Sequence, residues 1–390
     1  MNVPALRFPE FEGEWAEMKF SKFLVPNFRG VPKPTQKYLA IGIRSHGKGT
    51  FQKPDSEPEK IAMDTLYVVR ENDLIVNITF AWEGAIAIVP KEDDGGHVSH
   101  RFPTYEFCKE LVSHEYFRSI IANRRFRQKL ELISPGGAGR NRVMSKPEFL
   151  KLRHSFPSLP EQKKIAAFLG VVDAKIAALR ARVAGLERYK RGLMQALFNQ
   201  TLHFTKPDGT PFPNWEEKRL GEVANCLDSK RKPLNTSERQ LMQGEYPYYG
   251  ANGQVDSISD FLFDEDLVLL AEDGGNFDEF TTRPIAQRVT GKCWVNNHAH
   301  ILTAKSGRST HAFLFYSLVH KDIRKYINGS SRAKLNKSDM LTIRMSIPHP
   351  DEQAKIAEAL SAMDAKIAAV SGQLDRMQDF KKGLLQQMFV

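Results

Sequence analysis

The sequence predicts an α+β protein made of two α/β domains separated by two long helices, which pair as an antiparallel coiled coil and duplicate the chain about a pseudo-twofold axis. Three observations predict it. One long segment occurs twice without a gap, each copy carries a continuous apolar seam, and the stretches before the copies share an order of strand-like and helical patterns.

The repeat comes first because it organises the rest. The segment from Pro160 to Phe198 and the segment from Asp351 to Phe389 align residue for residue at an offset of 191, so that Glu161 matches Glu352, Asp173 matches Asp364, Lys190 matches Lys381 and Phe198 matches Phe389. In the first copy Ile165, Leu169, Val172, Ile176, Leu179, Val183, Leu186, Leu193 and Leu197 alternate steps of four and three, broken only at Lys190. In the second, Ile356, Leu360, Met363, Ile367, Val370, Leu374, Met377, Leu384 and Met388 do the same, with Lys381 as the break. A helix of this length spans on the order of 55 Å, more than a small domain is wide. The copies also differ in charge: Glu161 to Phe198 holds eight Lys/Arg against three Asp/Glu, and Asp351 to Val390 holds five against six. Opposed net charge favours pairing of the two helices with each other, and the returning chain makes the pair antiparallel.

These segments set the predicted boundaries: a domain over 1–157, a helix over 158–200, a second domain over 201–347 and a second helix over 348–390. Both domains open alike, with Leu6-Arg7-Phe8 and Trp15 answered by Leu202-His203-Phe204 and Trp215. Both continue with β-rich runs between Gly, Asp and Pro turns, LYVVR and DLIVNITF in the first, FLFDEDLVLLAED and CWVNNHAHILTA in the second. Each then shows a helical stretch (EYFRSIIANRRFRQKLELI; HAFLFYSLVHKDIRKYI), a glycine-bearing loop and a short strand entering the long helix.

With 390 residues, 41% of them hydrophobic and 26% charged, the composition is that of a multidomain globular protein. No run approaches a membrane span and the start MNVPALRFPEFEGEW has no signal-peptide core, so a cytoplasmic location is expected. Cys108, Cys226 and Cys293 are scattered, which predicts neither disulfides nor a cysteine metal site. The net charge of +10 points to an acidic partner, of which nucleic acid is the commonest.

That charge is concentrated at matching points. Arg118 to Arg153 carries ten Lys/Arg against Glu131 and Glu148, and Lys321 to Arg344 carries seven against Asp322 and Asp339. Each cluster surrounds a glycine-bearing loop, GGAGRNRVMSK at 136–146 and GSSRAKLNK at 329–337. Arg and Asn read guanine and adenine edges bidentately, while Lys and Ser suit phosphates. The DNA-contact candidates are therefore Arg140, Asn141, Arg142 and Lys146, with Ser331, Arg332, Lys334, Asn336 and Lys337.

Other signals point less far. The run from Gly42 to Lys48 resembles a phosphate-binding loop, but Gly49 stands where such a loop needs Ser or Thr. His298 and His300 share one face of a strand-like run, with no third ligand near them in sequence, and are read as hydrogen-bonded structural residues. No metal or cofactor is predicted.

The repeated P-x-x-x-E-Q start, the DAKIA run and the (K/R)-G-L-(M/L)-Q segment resemble the specificity subunits of type I restriction-modification systems. The second half adds Tyr249-Gly250-Ala251-Asn252-Gly253, Asp273-Gly274 and Val295-Asn296-Asn297-His298-Ala299-His300. The first half departs from these, with Val98-Ser99-His100-Arg101-Phe102 in place of the last. The resemblance implies two target recognition domains reading a bipartite, asymmetric site in double-stranded DNA through the major groove. It further implies helices that dock two modification subunits, which methylate adenine, and a restriction subunit with motor activity. Outer helix positions Gln162, Lys190, Arg191, Gln353, Lys381 and Lys382 are the partner-docking candidates. No methyltransferase motif and no complete P-loop occurs, so the chain is expected to be non-catalytic. The alternative is a single-chain DNA-acting enzyme with a diverged nuclease or methyltransferase site.

Overall fold

The computed structural model describes residues 3–136, 142–329 and 333–390. They fall into two compact units, one formed by 1–179 with 373–390 and the other by 180–372. The long helices run over Leu159–Phe198 and Pro350–Gln387, so each unit contains one portion of both.

In the first unit a two-stranded ladder pairs Ala16–Lys19 with Arg153–Phe156. A four-stranded antiparallel sheet follows in the order Leu24–Pro26, Thr104–Phe107, Leu74–Val76, Ile86–Ile88. A five-stranded sheet is ordered Gly30–Pro32, Thr65–Val68, His97–Val98, Tyr38–Ile43, Thr50–Ser56. The two sheets sandwich an apolar layer of Ile41, Ile43, Ile75, Ala87 and Val98. The opposite face of the four-stranded sheet, carrying Leu74, Val76, Ile86 and Tyr105, packs on helix His114–Ile121, on Ile165, Leu169, Val172, Ile176 and Leu384 of the long helices, and on Met388 just past the second. A strand covered on both faces needs apolar residues at every position, which is why Leu74–Val76 reads as a run instead of an alternation.

The second unit has the same plan. Glu216–Arg219 pairs with Arg344–Ile347, and the four-stranded sheet is ordered Ala224–Cys226, Ala299–Ala304, Leu267–Ala271, Ala286–Val289. A second sheet takes Gly253–Ile258, Gln243–Gly250, Lys292–Val295 and Phe263–Asp264. All five residues of Leu267–Ala271 are buried. Leu267 and Leu269 face the second sheet with Val295 and Ile301, whereas Val268 and Leu270 face helix His311–Leu318 and long-helix residues Met194, Leu197, Ile356 and Leu360.

The seam lysines have a structural explanation. Lys190 pairs with Asp364 in the second unit and Lys381 with Asp173 in the first, the same two positions of the repeat with their roles exchanged. Each lysine thus sits beside the seam with its charge matched. Seam residues that meet a domain core, such as Ile165, Leu169, Ile356 and Leu360, are fully buried, while Val183, Leu186, Met363 and Ile367, which belong to neither core, stay half-buried.

Two expectations change. The stretch 115–133 is not one helix: it breaks at Asn123, whose side chain caps a second helix, Arg124–Leu132. The run CWVNNHAHILTA is two strands in different sheets. Asn296 accepts a hydrogen bond from the His298 amide, a local turn that competes with strand pairing and redirects the chain.

Candidate nucleic-acid interface

In each unit the chain that follows the basic loop is anchored at the same place. The Met144 amide donates to the Ile78 carbonyl (2.8 Å) and the Leu335 amide to the Glu272 carbonyl (2.7 Å), both just past the inner strand of the four-stranded sheet. Short helices follow, Lys146–Lys151 capped by Ser145 and Lys337–Leu341 after Asn336. Arg140, Asn141, Ser331 and Arg332 lie outside the described residues. The flanking candidates lie within them.

Around the first loop, Arg142 donates to Glu131 (3.0 Å) and its guanidinium stands 5.3 Å from the Trp82 ring centre. Lys146 lies over Phe28 at 5.3 Å. An aromatic face fixes a cation's position while leaving donors for a ligand.

The second unit brings the family-type motifs together on its loop. Lys334, half exposed, pairs with Glu272 (3.2 Å), and Asn336 and Lys337 are exposed. Asn252 donates to the Gly274 carbonyl (2.7 Å), joining the 250–253 turn to the 272–276 segment, and Asp273 bonds His298 (2.5 Å). Beneath them His300 is buried, with Nδ1 on Asp228 (2.6 Å) and Nε2 donating to the Leu335 carbonyl (2.8 Å). Burial alone would lower its pKa, but hydrogen bonds to Asp228 and Cys226, the Asp228 charge and the Leu335 carbonyl raise it to about 9. It is therefore an imidazolium at neutral pH, pinning the end of the loop. Arg231 completes the cluster with Glu272 and the Ala299 carbonyl (3.0 Å).

The ligand atoms of Cys226, Asp228 and His300 all lie within 4.8 Å of one another, a grouping that their wide sequence separation hid. With both ring nitrogens of His300 engaged and its proton retained, this set serves as an ion pair; metal ligation needs a free nitrogen lone pair.

The outer-helix candidates divide. Gln162 and Gln353 do not lie on an outer face: both are buried, Gln162 bonding Ser113, Leu111 and Pro157 main-chain atoms and Gln353 the Arg308 and Pro348 carbonyls. Their amides tie the segment leading into each long helix, at Pro157 and Pro348, to a neighbouring stretch of main chain, satisfying buried backbone groups. Lys190 and Lys381 are held in the seam ion pairs. Arg191 and Lys382 are exposed. Sequence reasoning missed their neighbours Tyr189 and Phe380, equivalent in the repeat, aromatic and 62% and 50% exposed. An aromatic off the seam in both copies was the available signal.

Among the described residues no helix is long and apolar enough to cross a membrane. Residues 213–377 match the family described as "Type I restriction modification DNA specificity domain". A putative type I restriction enzyme specificity subunit of Haemophilus influenzae is 34% identical over 151 residues, covering 38% of this chain and 37% of the relative. The chain therefore spans little more than a third of that protein. The MjaVIII specificity subunit of Methanocaldococcus jannaschii is 23% identical over 355 residues, covering 82% and 78%. Among solved structures, a type I restriction-modification S subunit from M. genitalium superposes with a TM-score of 0.64 at 16% identity, covering 100% of this chain and 99% of the other. A chain from a study of type I R-M complex assembly and conformational transition gives 0.57, also at 16%, covering 96% and 97%. At such identity these two likenesses are of fold.

Proposed function

We propose that this chain is a specificity subunit of a type I restriction-modification system and a non-catalytic reader of a bipartite, asymmetric DNA site. Residues 1–157 and 201–347 act as the two recognition domains, and each reads one half-site. One observation carries the reading: two units of one plan present different side chains at the same loop, anchored at Met144 in one and Leu335 in the other. A single frame used twice with unlike loops suits two unlike half-sites.

Within it, Arg142, Lys146, Lys334, Asn336 and Lys337 are DNA-contacting groups, joined by Arg140, Asn141, Ser331 and Arg332 of the same loops. Arg191 and Lys382, with Tyr189 and Phe380, form the docking positions for two adenine-methylating modification subunits, because exposed aromatics in both copies, with an arginine beside one of them, are of the kinds enriched at interfaces. The restriction subunit joins that assembly.

The test replaces residues 1–157 by the matching domain of a relative, co-expresses the chain with modification subunits and maps methylated adenines. One half of the recognised sequence should change and the other stay. An unchanged site would refute the reading, and methyl transfer by the purified chain alone would favour the single-chain enzyme.

A further inference from the structure

The hairpin turn at 44–49, which the sequence comparison with phosphate-binding loops left without a role, has a counterpart in the other unit. In the first unit Tyr38–Ile43 runs parallel to His97–Val98 and antiparallel to Thr50–Ser56. In the second, Gln243–Gly250 runs parallel to Lys292–Val295 and antiparallel to Gly253–Ile258. The connection in the second unit is Ala251-Asn252, within the family-type motif. In the first it is Arg44-Ser45-His46-Gly47-Lys48-Gly49.

Both turns are tied to the segment after the inner sheet strand. Asn252 reaches Gly274 by its side chain, whereas the longer turn uses its backbone: the His46 and Gly47 amides donate to the Glu83 and Gly84 carbonyls, each at 2.8 Å, and Ser45 donates to the Glu83 carboxylate at 2.7 Å. Gly47 has φ +64, and a Cβ there would lie 3.1 Å from the Ile121 side chain. The result is an alternation. Ser45, Gly47 and Gly49 are half-buried, and Arg44, His46 and Lys48 are exposed.

Two of the exposed side chains, Arg44 and His46, are also braced. Gly42 leaves room for the cross-strand Phe51 ring, which a Cβ would meet at 2.3 Å, and the Arg44 guanidinium lies 5.3 Å from that ring's centre. Arg127 contacts His46 Nδ1 at 3.0 Å and belongs to helix Arg124–Leu132, whose Arg124 and Arg125 are exposed. A cation held over an aromatic platform on an anchored turn, as Arg44 is, loses little side-chain freedom when it meets a phosphate.

We propose that the 44–49 turn is a DNA-backbone contact of the first unit, with Arg44 and Lys48 each holding a phosphate of duplex DNA. This rests on the DNA-reading function above. The turn supplies by charge what the shorter, uncharged Ala251-Asn252 turn does not.

The test titrates the full chain, assembled with its modification subunits, against a labelled duplex bearing its methylation site and a random duplex of equal length, over a salt series. The double variant R44A/K48A should weaken binding to both duplexes on the order of tenfold and shrink the salt slope by about two, while R44K/K48R restores both. Wild-type binding with an unchanged affinity and slope in R44A/K48A overturns the proposal and leaves the function standing. Retained DNA binding with lost co-purification of modification subunits also overturns it, making the turn a protein contact. A wild-type assembly with no preference for the methylation-site duplex overturns the DNA-reading function, and the proposal with it.

Discussion

The two units hold the same position of the same sheet with opposite chemistry. Leu24 pairs with Phe107 in the first and Ala224 with Ala304 in the second, so four residues back along each inner strand Pro103 stands where His300 stands. The first unit places an uncharged ring there. The second places a buried imidazolium that ties Asp228 to the loop at Leu335. At the helix starts, Arg7 grips buried Glu161 through two hydrogen bonds of 2.8 Å, whereas Glu352 takes one from Trp215 (3.1 Å) and burial raises its pKa. Apolar layers are shared between the copies, as are the helix-start glutamines and the seam ion pairs, but these two polar supports are not. A duplicated frame tolerates exchange of its charges so long as every buried charge keeps a partner.

The largest expected effect tests whether the apolar layers are equivalent. Ile75 and Leu269 occupy the same strand position and are fully buried. Truncating either to Ala should cost about 2–5 kcal/mol, each lowering only the denaturation midpoint of its own unit. A loss confined to one of the two variants would break the equivalence.

The next effect is specific to the second unit. Because the folded pKa of His300, about 9, exceeds the ordinary value of 6.5, its contribution is fully present below about pH 6.5 and is lost as pH rises through about 9. That contribution is on the order of 3 kcal/mol. Amide exchange in Ala299–Ala304 should accelerate between those pH values beyond the intrinsic rate, and exchange in Thr104–Phe107 should not. His300→Gln should remove the difference, and equal behaviour of the two strands in the wild type would contradict the assignment.

The smallest effect sharpens the symmetry of the helices. Lys190→Ala and Lys381→Ala should each cost about 0.2–1 kcal/mol, because both ion pairs remain partly in water. High salt should erase the cost of each. A cost several times larger for one would mean that its pair, unlike its repeat equivalent, is held out of solvent.

The repeat, the seam and the order of strands were legible because periodicity survives in one dimension. Ile165, Leu169, Ile356 and Leu360 could be read directly from their spacing. The buried fate of Gln162 and Gln353 could not, since a polar residue near a helix start looks outward until the chain segment it must satisfy is placed. Nor could the Cys226, Asp228 and His300 cluster, whose members are joined only by strand pairing across some seventy residues. The basic loops were legible as composition and the 44–49 turn was not, because its role depends on which strand lies beside Tyr38–Ile43. Fold followed from local pattern, and site followed from long-range register.

The division of the chain between its units also sets an order of events during synthesis. Residues 180–372 are contiguous, so every side chain of the second core has left the ribosome before the first core is complete. The first core contains Leu384, Met388 and Phe389, with Phe389 stacked on Tyr116 at 5.5 Å. Its N-terminal part must wait, apolar surface uncovered, while about two hundred further residues are made, a delay on the order of ten seconds or more. The half of the protein that is translated first is the half that finishes last.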